Sequence, residues 1–182
     1  ARKVFSKVAL GERIDMAPLV GRDREMEALA AAYSQASRGA AAAALIKADA
    51  GVGKSRLVFE FSKTLAEGSY RWYAGYCLSY GRNIPFLPIM ELVRSIFRWP
   101  RNSELPQSPE DLRQGVEHVF ASAGRGRSAA GGSGLDYKRE RAIHALAFLF
   151  SIDIEANPLL LLDPRQRRDR IFECVAELIR CA

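Results

Sequence analysis

The chain has little of what builds a metal centre or a disulfide framework: its 182 residues include three cysteines and two histidines. Cys77, Cys174 and Cys181 are odd in number and widely spaced, no Cys-x-x-Cys occurs, and His118 and His144 stand far from them in sequence. Reduced, half-buried thiols are expected in place of a disulfide or a metal site. Long apolar runs are missing as well. The longest, around Ala40–Ile46 and Ala145–Ile152, fall far short of the about 18 residues that span a bilayer. The N-terminus, Ala-Arg-Lys-Val-Phe-Ser, carries neither an initiator Met nor the apolar stretch of a signal peptide, so the chain reads as an internal piece of a cytoplasmic protein.

No strong charge imbalance points to a polyanionic partner. Lys and Arg number 27 against 21 Asp and Glu, a net charge of +6 that is compatible with nucleic acid without requiring it. Arg165, Arg167, Arg168 and Arg170 form one dense group, but no aromatic residues interleave with them to stack bases. A solvated helix face is the favoured reading of that group. With 48% hydrophobic residues, a chain of this length supports one packed domain.

What is present is concentrated in one octapeptide, Ala48-Asp49-Ala50-Gly51-Val52-Gly53-Lys54-Ser55. This is a phosphate-binding loop of the Walker A type, with Ala48 where the pattern has its first glycine. Successive backbone N–H groups must point into one concavity, and Gly51 and Gly53 permit the left-handed backbone that does so. Lys54 brings a compact positive charge to the β/γ oxygens of a nucleotide, and Ser55 offers a hydroxyl to Mg²⁺ from the first turn of the next helix. The pattern predicts a strand before the loop, at Ala41–Lys47, and a helix after it, with Leu57, Val58, Phe61 and Leu65 at helical spacing and Gly68 at its end.

The remainder reads as helices joined by loops. Residues 1–17 form an N-terminal linker, and Asp23–Arg38 a helix that ends at Gly39. Tyr70–Cys77 is aromatic and reads as a second strand, joined to the first by a right-handed crossover. Apolar residues from Ile89 to Phe97 trace an amphipathic helix stopped before Pro100. Ser108-Pro109-Glu110-Asp111 is a helix start, with Leu112, Val116, Val119 and Phe120 on the buried face. Residues 121–134, with five glycines and three serines, read as a flexible loop. Helical patterning returns over Tyr137–Phe150, and a last helix from Asp163-Pro164 buries Ile171, Phe172, Val175, Leu178 and Ile179. Leu159-Leu160-Leu161-Leu162-Asp163 has the outline of a strand ending in a Mg²⁺-binding acid. The following Pro164 and the absence of β-branched residues favour Asp163 as a helix cap.

Pro18-Leu19-Val20-Gly21-Arg22, the Gly51–Leu57 loop, Cys77 and Pro85-Phe86-Leu87-Pro88 together resemble the ATPase module of the signal-transduction ATPases with numerous domains, near the AAA+ proteins. The resemblance extends from Pro18 to Ala182 and is best to modules that follow cyclase domains in bacterial regulators and to those of large helix-turn-helix transcriptional activators. It implies an α/β P-loop NTPase fold, a parallel sheet flanked by helices and incomplete here, because the chain would stop just short of its Walker B strand. It further implies that Val20, Gly21 and Arg22 flank adenine, where residue chemistry alone allows a plain linker turn. The nucleotide-contacting set is then Val20, Gly21, Arg22, Ala48, Asp49, Ala50, Gly51, Val52, Gly53, Lys54, Ser55 and Arg56, with Lys54 catalytic, Ser55 on the metal, and ATP and Mg²⁺ as cofactors. Cyclase, repeat or DNA-binding output domains would be its partners, without membrane or direct nucleic-acid contact. The expected function is a regulatory ATP-binding module, hydrolysing slowly only in the intact protein. A small P-loop kinase or a basic nucleic-acid-binding module are the alternatives.

Overall fold

The computed structural model describes residues 19–66, 68–77, 84–99, 106, 108–124 and 132–182. Among these, regular structure is helical throughout: α1 (Asp23–Ser37), α2 (Lys54–Thr64), α3 (Leu87–Phe97), α4 (Pro109–Gly124), α5 (Gly132–Phe150) and α6 (Pro164–Cys181), with one turn of 3-10 helix at Pro158–Leu161. The chain divides into two compact units, the break falling between Trp72 and Tyr73.

The parallel sheet expected of this sequence is not formed among the described residues. The run 41–47 has no regular structure and belongs to no ladder, and 41–45 are exposed, Leu45 to 92%. A strand is stabilised only when a neighbour accepts and donates along its length and its side chains bury area. Four consecutive alanines supply one methyl each and little of that area. The second run, 70–77, also stays without a ladder. The unit boundary splits it, and side chains take up polar groups at both ends: Tyr70 Oη donates to the Ser62 carbonyl at 3.2 Å, and the Ala74 N–H donates to Ser95 Oγ at 3.2 Å. The strand-helix-strand crossover is therefore absent.

In the first unit α1 packs on α2. Helix α1 buries no residue completely. Its Tyr33 meets Phe61 of α2 edge to face at 6.3 Å and donates to Ser69 Oγ, in the turn beyond α2, at 3.0 Å. Helix α2 stops at Thr64, short of Gly68. In its last turn the Ser62 and Thr64 hydroxyls bond back to the Phe59 and Phe61 carbonyls at 2.7 Å, a competition that weakens helix ends.

The apolar core lies in the second unit, where α3, α4, α5 and α6 pack on one another. The periodic faces of α3 and α4 are inside as their spacing predicts: Val93, Leu112 and Val116 are fully buried, as are Val119 and Phe120. Helix α4 starts on a reciprocal cap in which Asp111 N–H donates to Ser108 Oγ at 3.2 Å and Ser108 N–H to Asp111 Oδ2 at 3.1 Å. The glycine-serine stretch is shorter than its composition suggests, because α4 runs to Gly124 and α5 begins at Gly132; residues 125–131 lie outside the described set. Ala121, Ser122 and Ala123 tolerate helix well enough to carry α4 into it. On α6 the buried stripe is Ile171, Val175 and Leu178, while Phe172 and Ile179 remain over 40% exposed.

Gly115 marks a tight contact between α4 and α3. A Cβ there would stand 2.5 Å from Phe97 Cδ2, and the Phe97 ring is itself held edge-on to Trp99 at 4.8 Å. Gly115→Ala is therefore expected to destabilise the protein by about 1 kcal/mol or more, overpacking outweighing the roughly 1 kcal/mol gained in helix propensity. A urea midpoint equal to or above wild type would contradict this.

The three cysteines are free. Cys77 is exposed, against the half-buried expectation, because it sits on the unladdered run. Cys174 faces the Ala142 carbonyl at 3.9 Å, and burial pushes its thiol up to about 12, which keeps it neutral and unreactive. Among the described residues no helix is long and apolar enough to cross a membrane.

Candidate functional site

The candidate site lies in the first unit, where the run 43–48 leads through the glycine loop into α2. Gly51 and Gly53 take φ of 83° and 90°, the left-handed region that a side chain disfavours. Gly53 is also the N-cap of α2, and no side chain caps that helix. Its first-turn N–H groups and the positive end of its dipole thus face outward at the loop. A Cβ built on either glycine would meet nothing within 4 Å, so the space over the loop is open.

Lys54 lies back across this loop. Its Nζ donates to the Ala48 and Asp49 carbonyls, each at 2.7 Å. A charged amine so placed is held over the concavity by neutral acceptors, which phosphate oxygens outcompete as partners for an ammonium. Beside it opens a cavity of about 450 Å³, within the range of small-molecule sites. Ala48, Val52, Gly53 and Lys54 of the loop line it, together with Arg22 and Glu25. Leu29 and Ala32 of α1 and Ile46 add apolar lining.

Of the sequence-derived set, Arg22, Ala48, Val52, Gly53 and Lys54 line this cavity. Asp49 and Gly51 belong to the same loop through the Lys54 contact and the backbone turn, and Ala50 lies between them. Ser55 is exposed in the first turn of α2, and Arg56 is half-buried beside it. Val20 and Gly21 are not in the lining; the Val20 side chain is 83% exposed. Arg22 is the member of that trio that turns inward. Its Nη1 donates to Glu25 Oε1 at 2.7 Å and its Nη2 to the Val52 carbonyl at 3.4 Å. The guanidinium holds the Glu25 carboxyl below the usual carboxylate range, chiefly through that hydrogen bond.

Glu25 is the acidic member of the site, and sequence reasoning missed it. Its spacing of three from Arg22 signals a helical ion pair, but nothing in the local pattern ties that pair to a loop thirty residues on.

Asp163, the other candidate acid, is a helix cap in the second unit. Its Oδ1 accepts from the Arg165 and Gln166 N–H groups at 2.8 and 2.9 Å, and Gln166 reaches back to complete a capping box. The preceding leucines form the 3-10 turn in place of a strand.

A family model described as the AAA ATPase domain matches residues 18–170. The chain belongs to that family. It is an AAA+-like P-loop ATPase module that binds ATP. Comparison with curated proteins and with solved structures gave no match. The match takes in the loop and the ion-paired Arg22 of the first unit and most of the helical second unit of this AAA module.

In the arginine group on α6, Arg165, Arg168 and Arg170 are exposed, as a solvated helix face requires, and Arg167 alone of the four is half-buried. Arg167 donates to the Leu159 and Leu162 carbonyls at 3.0 and 2.8 Å and lies over the Phe148 ring at 4.7 Å. Arg168 pairs with Asp169 and Arg170 with Glu173, at 3.0 and 2.9 Å.

Proposed function

We propose that this AAA module is a regulatory ATP-binding unit of a cytoplasmic multidomain signalling or transcription protein, with residues 18–182 forming the ATPase part and residues 1–17 leading into it. The observation that carries the reading is the Lys54 ammonium laid across the Ala48 and Asp49 carbonyls of a loop whose paired left-handed glycines open onto an uncapped helix start. On binding, Lys54 exchanges those carbonyls for β/γ oxygens, the loop N–H groups from Asp49 to Arg56 surround the phosphates, and the Ser55 hydroxyl reaches Mg²⁺. The metal, when bound, neutralises phosphate charge. Val20, Gly21 and Arg22 flank the base.

Hydrolysis needs an acid that orients water and metal. Asp163, the acid with the outline of that role, spends its carboxylate on two backbone N–H groups. Slow hydrolysis is then left to the intact protein, and nucleotide occupancy rather than rapid hydrolysis conveys the signal to cyclase, repeat or DNA-binding neighbours, by ordering loops that relax when the γ-phosphate leaves. Calorimetric titration tests this: ATP is expected to bind weakly and better with Mg²⁺, with phosphate release near background. Rapid turnover by this chain alone, or no ATP binding at millimolar nucleotide, overturns the reading.

A further inference from the structure

The Arg22 side chain, at the N-cap of α1, bonds to the loop that precedes Lys54. Val52 lies between the two left-handed glycines, and its carbonyl accepts from Arg22 Nη2 at 3.4 Å, while the other arm of the same guanidinium is held by Glu25 at 2.7 Å. A trans peptide is planar, with C=O and N–H pointing opposite ways. Whatever holds the Val52 oxygen therefore also sets the direction of the Gly53 N–H, the last loop donor before α2. That peptide plane turns about Val52 ψ and Gly53 φ, and glycine at the second of these leaves the turn freer than a side chain there would, so a hold on the Val52 oxygen restrains it.

We propose that Glu25 is a positioning residue for nucleotide binding: by fixing the Arg22 guanidinium against the Val52 carbonyl, it aims the Gly53 N–H into the phosphate concavity. Glu25 itself touches no phosphate, and its charge acts through Arg22. Both residues line the same cavity as Lys54, so the restraint sits at the site. The planar fork of an arginine suits two acceptors at once, which makes a lysine at this position a poor substitute. Arg22 and Glu25 are about two-fifths exposed, and a pair of that exposure and spacing contributes little to folding. Its removal should therefore change the loop without changing the melting temperature.

This inference rests on the ATP-binding reading above, and two measurements separate them. In the nucleotide-free protein, Glu25→Ala is expected to shift the Gly53 amide resonance and speed its hydrogen exchange, with the melting temperature unchanged. In titrations, Glu25→Ala is expected to weaken ATP about tenfold, the value of one aimed hydrogen bond to a charged acceptor. Glu25→Gln, which keeps an acceptor but no charge, should fall between. Added to Arg22→Ala, Glu25→Ala should weaken ATP no further, because both act through one contact. A Gly53 amide that coincides with wild type overturns the proposal even if ATP does not bind at all. Equal ATP affinity in Glu25→Ala, an additive double variant, or a lowered melting temperature without loss of affinity overturns it equally.

Discussion

Lys54→Ala is expected to weaken ATP binding by about 100- to 10,000-fold, since two charge-assisted hydrogen bonds of about 1.5–3 kcal/mol each are lost. The geometry locates the effect at the ligand rather than at the fold. Lys54 contributes its ammonium to two loop carbonyls that water can reach once the side chain is gone. The unfolding midpoint should therefore stay close to wild type while the titration flattens. Affinity within about threefold of wild type would mean that the amine does not meet the phosphates.

Phe120→Ala is expected to have the opposite signature, a loss of about 3–5 kcal/mol in stability from the cavity left in a packed core. Phe120 is 2% exposed within a cluster that also holds Val93, Leu112, Val116 and Leu146, each at most 1% exposed. Against a total of about 5–15 kcal/mol for a domain, such a loss brings the second unit near its threshold. Urea denaturation followed by circular dichroism measures it. Leu29→Ala on α1, a helix that buries no residue completely, should cost far less. Equal losses at the two positions would show that the apolar core is not confined to the second unit.

Most helices of this chain are legible from pattern, because their signals are local. The face from Leu112 to Phe120 repeats at helical spacing, and Ser108 and Asp111 stand three apart, where each can bond the other's N–H. Asp163-Pro164 reads as a cap for the same reason, and that reading removes the chain's most tempting strand-and-acid motif. The expected sheet fails at the opposite point. A run of alanines and an aromatic run each satisfy a strand pattern, but a pattern does not supply the neighbour whose N–H and C=O groups complete a ladder. The exposed Phe172 and Ile179 show a milder version: an apolar residue on a helix is buried only where another element covers it.

By itself the sequence determined the phosphate loop, the helix it opens and the caps of the second unit. Each of these depends on backbone angles and partners within a few residues, which glycine, proline, serine and aspartate specify directly. The tertiary structure decided what surrounds the loop: that α1 walls the cavity, that Arg22 turns in to the Val52 carbonyl under the hold of Glu25, and that neither run gains a strand partner. These depend on which distant segments meet, and the cost in chain entropy of bringing them together is offset only by contacts that no local pattern records.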